Sequence, residues 1–215
     1  MATNAVPGFL PSRQGFRFRN LWPAGPARIL QLGPLRLPFG AVERGLCGGM
    51  IFAVRDRFHR GEDAPADASP PAQGTPLFDE IVDRQLASFG LLLIAVPVRF
   101  WLAAAGDQRG RDRETVGQAW PAIKADIDAG RPPMIGLVRM ATRNPLAPLG
   151  HQVIGYRYVE SPERVAIGVY DPNHPGEDGV EVVVEKAPDG SLHLAQSTGE
   201  DVLGLLALPY APPAA

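Results

Sequence analysis

The sequence has 215 residues, 45% of them hydrophobic and 20% charged, and a formal net charge of −2. This composition is that of a globular chain with enough apolar surface to form a core, which excludes general disorder. The near-neutral charge and the isoelectric point of about 6.1 exclude a broad electrostatic attraction to nucleic acid or to anionic membranes.

Strand patterns occupy the start of the chain. Alternating apolar residues predict a short strand over residues 15–19, and Gly33-Pro34 separates two segments, 28–32 and 35–37, that are typical of a hairpin. The many glycines and prolines, 24 and 23 in number, favour such short elements and turns over a helical bundle.

A helix is predicted to begin at the only cysteine of the chain. Cys47, Ile51, Val54 and Phe58 recur at helical spacing on one face, and Gly61 follows as a stop signal. The cysteine therefore occupies the first turn of this predicted helix.

Further helices are predicted up to residue 130. Residues 61–76 contain no large apolar residue, which predicts a mobile surface loop within the domain. Apolar stripes then predict helices over 77–89, 98–105 and 116–127. We expect the first two to pack beside the cysteine-bearing helix and Gly130 to end the third.

The rest of the chain is rich in β-branched and aromatic residues. These predict five strands, over 134–140, 152–158, 165–170, 180–184 and 202–208. Helices thus precede a sheet, which is typical of an α+β fold. We expect one domain over residues 1–215, with a mainly helical lobe at 1–130 that includes the N-terminal strands and an antiparallel β lobe at 131–210.

Cys47 is a candidate nucleophile. The start of a helix lowers the pKa of a thiol, and its free N–H groups can donate to an oxyanion. Gly48 and Gly49 each cost a helix about 1 kcal/mol relative to alanine, which indicates the close approach of another backbone. A substrate cleft across the helix start would use that room. A buried, inert core cysteine is the alternative, because Cys47 shares its face with apolar residues.

His151 is the candidate base for this thiol. It precedes a predicted strand, and a turn signal separates that strand from the next one, which ends at Asp171. In the resulting antiparallel hairpin, His151 lies opposite residue 171, 172 or 173. Either Asp171 or Asn173 can then orient the imidazole, since the register is open. We favour Asp171, because a carboxylate also stabilises the imidazolium.

Three segments, Gly-Leu-Cys-Gly-Gly-Met at 45–50, Gly-His-Gln-Val at 150–153 and Tyr-Asp-Pro-Asn at 170–173, resemble in this order the papain-like cysteine peptidases, and among them the C39-like branch. The resemblance runs from about residue 39 to residue 173. It implies a fold in which a central cysteine-bearing helix packs on an antiparallel sheet, with Cys47, His151 and Asp171 as the catalytic triad.

The chain departs from this superfamily at the oxyanion hole. The superfamily usually has a glutamine about six residues before the cysteine, where this chain has Ala41. Gln31 or Gln14 is a possible substitute that reaches the site by another route. The backbone N–H of Cys47 acting with a further donor is the other possibility.

The resemblance implies a thiol-dependent peptidase or amide hydrolase that acts on a peptide or protein through a thioester. An acyltransferase or transglutaminase-like enzyme, and a catalytically inactive binding module, are alternatives on the same fold. We expect no cofactor. We expect no metal site either, because there is one cysteine and no His-Glu-x-x-His motif.

The single cysteine cannot form an internal disulfide, which favours a reducing compartment. Residues 1–14 lack the basic and apolar regions of a secretory signal, and the longest apolar run, 89–98, is too short to span a bilayer. We therefore expect a soluble protein, a monomer by default, that is cytoplasmic or exported without a cleaved signal peptide. Nucleic-acid binding and membrane insertion are not expected.

Overall fold

The computed structural model describes residues 1–32, 35–90, 94–144, 147 and 150–213, and gives only the backbone for 28–32 and 35–39. The described chain is mixed α+β, and its helices lie, in chain order, between the first strand and the other six strands of a seven-stranded antiparallel sheet. The helices are α1 (Pro11–Gln14), α2 (Cys47–Arg60), α3 (Pro76–Ser88), α4 (Ala95–Ala105), α5 (Gln108–Glu114) and α6 (Trp120–Asp128). The strands are β1 (Ala2–Ala5), β2 (Arg28–Leu32), β3 (Leu35–Phe39), β4 (Met134–Val138), β5 (Gly150–Glu160), β6 (Arg164–Tyr170), β7 (Glu181–Lys186), β8 (Leu192–Gln196) and β9 (Gly204–Leu208).

Helix α2 begins at the cysteine and ends at Gly61, as predicted. Gly61 has φ 71°, a left-handed conformation that glycine adopts without steric cost, and its N–H bonds to the carbonyls of Arg57 and Phe58. Apolar residues from both helices and sheet then bury α2 in one core, which includes Met50 and Ile51.

Helix α3 packs closely on α2 through the two glycines of the α2 first turn. A Cβ added at Gly49 would lie 2.0 Å from the carbonyl oxygen of Ile81, and one added at Gly48 would lie 2.2 Å from Ser88 Oγ. Another backbone does approach Gly49, but it is that of α3, whereas Gly48 faces the side chains of Ser88 and Gln152. The room that they provide is therefore filled by the protein itself.

Helix α4 differs from the prediction in its first residue and in the element on which it packs. It begins at Ala95, before Pro97, because proline is tolerated in the first turn of a helix. It packs mainly on β4, whereas the expected packing beside α2 amounts to less. The Phe100 ring explains this placement, since it fills the space left by two strand glycines: a Cβ at Gly136 or Gly150 would lie 2.7 or 2.3 Å from it.

The predicted third helix is the end of a longer helical segment formed by α5, a π-helical turn at Thr115–Ala119 and α6. The Thr115 hydroxyl accepts a hydrogen bond of 3.0 Å from the N–H of Leu205 in β9. This bond ties the π-helical turn to the edge of the sheet. Gly130, with φ 71°, follows the end of α6.

The sheet has the strand order β8-β7-β6-β5-β4-β9, with every neighbouring pair antiparallel. Strand β5 is long enough to pair with β4 through its first half and with β1 through its second half. The predicted hairpin of β2 and β3 is present, and so are the five predicted C-terminal strands, with shifted ends. Strands β1 and β8 were not predicted.

The predicted strand at 15–19 is wrong. Phe16 and Phe18 are buried as their alternation suggests, but the segment has no strand partner. The next residue, Asn20, instead donates its backbone N–H to the carbonyl of Pro172, 2.9 Å away in the loop after β6. The predicted loop is present, because residues 61–75 contain no helix or strand.

Candidate active site

The fold brings Cys47, His151 and Asp171 to one place. Cys47 is the first residue of α2, His151 is the second residue of β5, and Asp171 directly follows β6. Helix α2 packs on β5, and β5 pairs with β6. The helix start and the adjoining ends of the two strands therefore meet.

The β5–β6 register places the carboxylate diagonally across from the imidazole. Ile154 pairs with Tyr170, and the same register extended by three residues would set His151 opposite Asn173. Regular pairing ends at Tyr170, however, and Asp171 lies on the same face as His151, since side chains alternate along a strand. His151 Nε2 lies 2.6 Å from Asp171 Oδ1. Asn173 contacts this carboxylate through its backbone N–H, at 2.8 Å.

Asp171 is an ionised, buried carboxylate with a full set of donors. The residue is 1% exposed, and Gln196 Nε2 donates to Oδ2 over 2.8 Å. Arg139 lies 3.9 Å from the same oxygen and donates to Gln196 Oε1 over 2.6 Å. Burial acts to raise the pKa of Asp171, but the charge of His151 and these hydrogen bonds outweigh it and lower that pKa to about 2.

His151 and Cys47 shift each other towards their charged forms. Burial acts to lower the pKa of His151, yet the Asp171 charge and the neighbouring thiol raise it to about 10. Burial likewise acts to raise the pKa of the Cys47 thiol, but the interaction with His151 and the backbone N–H groups of Gln152 and Gly48 lowers it overall. Since Nε2 faces Asp171, Nδ1 is the ring nitrogen left for the thiol. The arrangement favours a thiolate–imidazolium pair.

Cys47 remains partly exposed and opens on a cleft of about 350 Å³. Such a volume suffices for a short segment of a ligand. Cys47 and His151 are among the residues that line it. The lining residues come from the segment before α2, the ends of β4, β5 and β6, and the loop after β8: Asn20, Glu43, Arg44, Gly45, Cys47, Arg139, Gly150, His151, Asn173 and Glu200.

Several predicted site residues are not part of this cleft. Gln14 accepts the N–H of Leu10, the residue before its own short helix, over 2.8 Å and does not line the cleft. The Gln31 side chain lies outside the described part of the chain. Gly48 and Gly49 are buried against α3 and do not line the cleft, so the expectation that they provide room for a substrate is wrong.

Three residues around Cys47, His151 and Asp171 were missed from the sequence. Gln196 and Arg139 support Asp171, although β5, β6 and β7 separate their strands in the sheet, so the contact depends on the curl of the sheet. Asn20 lies beside the helix start, directly after the segment 15–19 that was predicted to be a strand. A local signal exists only for Gln196, which lies in the unpredicted strand β8. The alternating Leu192 and Leu194 could have indicated that strand.

No group of three histidine, cysteine or acidic side chains within the described ranges is arranged to hold a metal ion. Across the same ranges, no helix combines the length and the apolar character that crossing a bilayer requires. Comparison with known proteins finds no matching family model, no matching curated protein and no matching solved structure.

Proposed function

We propose that this protein is a papain-like cysteine peptidase or amide hydrolase that acts on a peptide or protein. The observation that carries the proposal is the buried Asp171–His151 pair, 2.6 Å apart, next to Cys47, a residue that lines the cleft and whose thiol pKa is lowered. A purely structural cysteine would need neither the imidazolium nor the open cleft.

In the proposed reaction, the Cys47 thiolate attacks the substrate carbonyl carbon. A carbon–sulfur bond forms, and the carbonyl π electrons move to the oxygen. As this pair returns, the carbon–nitrogen bond breaks and the leaving amine takes the proton of the His151 imidazolium. The product of this half-reaction is a thioester.

The second half-reaction releases the acyl group. His151 removes a proton from water, the oxygen attacks the thioester carbon, and the sulfur leaves as the thiolate while the carboxylic acid product forms. Asp171 keeps Nε2 protonated throughout and stabilises the imidazolium each time it appears. If an amine takes the place of water, the same site is an acyltransferase or transglutaminase-like enzyme.

The reactivity of Cys47 towards iodoacetamide tests the proposal. We expect the native protein to be alkylated rapidly at pH 6, whereas an ordinary thiol is almost fully protonated there. Intact-mass measurement gives the rate, and Cys47→Ser is the control for labelling elsewhere. Alkylation that occurs only after denaturation would show an inert core cysteine and contradict the proposal.

The type of reaction is decided with a mixed peptide library. New termini that are absent with Cys47→Ala indicate a peptidase, and side-chain deamidation indicates an amide hydrolase. Faster incorporation of an added amine than hydrolysis would favour the acyltransferase. Peptide binding that survives in Cys47→Ala, without turnover by the native protein, would identify a binding module.

A further inference from the structure

We infer that Asn20 is a catalytic residue of this site, which donates from its side-chain amide to the oxyanion formed on the substrate. This inference rests on the proposed function, since an oxyanion forms only if Cys47 attacks a carbonyl. It supplies a donor in a chain that has Ala41 where a glutamine was expected and whose Gln14 is bound elsewhere.

Two donors determine which way the Asn20 amide points. The backbone N–H of Leu46 lies 2.7 Å from Oδ1, and the indole Nε1–H of Trp22 lies 2.9 Å from it. An atom that receives two N–H groups must be the carbonyl oxygen, because an NH₂ group cannot accept either of them. The other side of the amide is therefore the NH₂ group.

The Nδ2 group of Asn20 is free to donate. Within the described part of the chain it has no acceptor, and Asn20 is one of the residues that line the cleft with Cys47. The Nδ2 group occupies the space that the missing side chain of Gly45 leaves, because a Cβ at that glycine would lie 2.7 Å from Nδ2. Glycine at this site, with φ 91°, thus leaves the amide its place beside the start of α2.

The backbone N–H of Cys47 is the second donor. The first N–H groups of a helix have no carbonyl partner within the helix, and in α2 it is Met50 whose N–H first reaches back, to Leu46. The Gly49 N–H is used by Gln85. Asn20 Oδ1 accepts from the N–H of Leu46, the residue directly before Cys47. The Asn20 amide and the Cys47 N–H therefore both lie at the start of α2.

The loop after β6, which begins at Asp171, also fixes the position of Asn20. Asn20 donates its backbone N–H to Pro172, and Arg19 Nε donates to the carbonyl of Asn173 over 2.9 Å. Phe18 and Trp22, which are two residues before and two residues after Asn20 in the chain, are both buried. The amide is thereby held in place before a substrate arrives, which is the condition for efficient stabilisation of a developing charge.

Two reactions of the same thiol separate this role from a structural one. Acylation by p-nitrophenyl acetate passes through an oxyanion: the sulfur–carbon bond forms, the carbonyl electrons move to oxygen, and their return expels p-nitrophenolate. Alkylation by iodoacetamide displaces iodide and forms no oxyanion. For Asn20→Ala at pH 7, we expect acylation to fall by about 10²- to 10³-fold and alkylation by less than about threefold.

Asn20→Asp is the second variant, because it keeps an oxygen for Leu46 and Trp22 while it removes the donor. It should lose acylation at least as strongly, relative to its own alkylation rate, and it decides the question if Asn20→Ala does not fold. Asn4→Ala, which changes an exposed asparagine bonded to Asp128, is the matched control and should react like the native protein in both assays.

The outcomes distinguish the two proposals. If the native protein and both Asn20 variants are alkylated rapidly at pH 6 and acylated at equal rates, Asn20 is not an oxyanion donor and the reactive thiolate stands. If the native thiol itself resists alkylation at pH 6, the proposed function fails, and the role of Asn20 fails with it.

Discussion

Replacement of Asp171 by asparagine should abolish the reactivity of Cys47 below neutral pH. The substitution preserves the shape of a buried side chain that lies 2.6 Å from the His151 ring. It removes the negative charge, however, and it directs an NH₂ group either at His151 or at the Gln196 amide. Arg139 holds Gln196 Oε1 and thereby prevents that amide from turning to accept.

The size of the effect follows from the ion pair. Opposite charges about 4 Å apart attract by about 4 kcal/mol at an effective dielectric constant of about 20, which corresponds to about three pKa units. This accounts for most of the rise in the pKa of His151 from 6.5 to about 10. Without the carboxylate, burial keeps the imidazole neutral at pH 7, and the pKa of Cys47 returns to or above its ordinary value of 9.0. The thiolate fraction at pH 7 is then about 1% or less.

The assay is the rate of iodoacetamide alkylation between pH 5 and pH 10. We expect Asp171→Asn to react at least about tenfold more slowly than the native protein at pH 7, with the difference closing above pH 9 as both thiols ionise. Asp189→Asn, in an exposed turn where the carboxylate accepts from Ser191, is the matched control. Superimposable profiles for Asp171→Asn and the native protein would refute the electrostatic account of the site.

Three further predictions concern stability, measured by urea unfolding. Gly49→Ala should lower the free energy of unfolding by about 1–3 kcal/mol, because its methyl group would lie 2.0 Å from Ile81 O. Gly117→Ala is the control, since its methyl group meets open space and should not destabilise the protein. Equal effects of the two substitutions would contradict the packing argument. Gln196→Met should cost about 1–3 kcal/mol by leaving buried polar partners unmatched, and a neutral result would show that these bonds contribute little. Because the pKa of Asp171 is lowered from 3.8 to about 2, ionised Asp171 should stabilise the folded protein fully above pH 3.8, and this stabilisation should be lost as the pH falls through 2. The stabilisation amounts to about 2 kcal/mol. If Asp171→Asn shows the same loss of stability in acid, Asp171 is not its source.

Local signals were sufficient for several elements. Helix α2 follows from an apolar stripe and from a glycine that adopts the left-handed conformation at its end. The hairpin of β5 and β6 follows from two β-branched segments around a turn, and it alone predicts that His151 and Asp171 are neighbours. These elements depend on residues close together in the chain, which is why their pattern is visible there.

Other elements depend on contacts that no local pattern contains. Strand β1 is exposed and has no apolar alternation; it forms because β5 extends beyond β4 and leaves an unpaired edge. The segment at 15–19 has the alternation of a strand, yet it bonds to the loop after β6. Backbone groups must find partners, and the partners available are decided by the packing of the whole chain.

The sequence by itself determined that a lone cysteine starts a helix and that a histidine and an acid share a hairpin. Only the tertiary structure decided that Asp171 and not Asn173 faces the imidazole, that α3 fills the room beside Gly48 and Gly49, and that Asn20 lies at the cleft. The reason is physical: helix and hairpin signals arise from short-range geometry, whereas the polar partners of a buried site come from residues far apart in the chain, whose distances are set by packing.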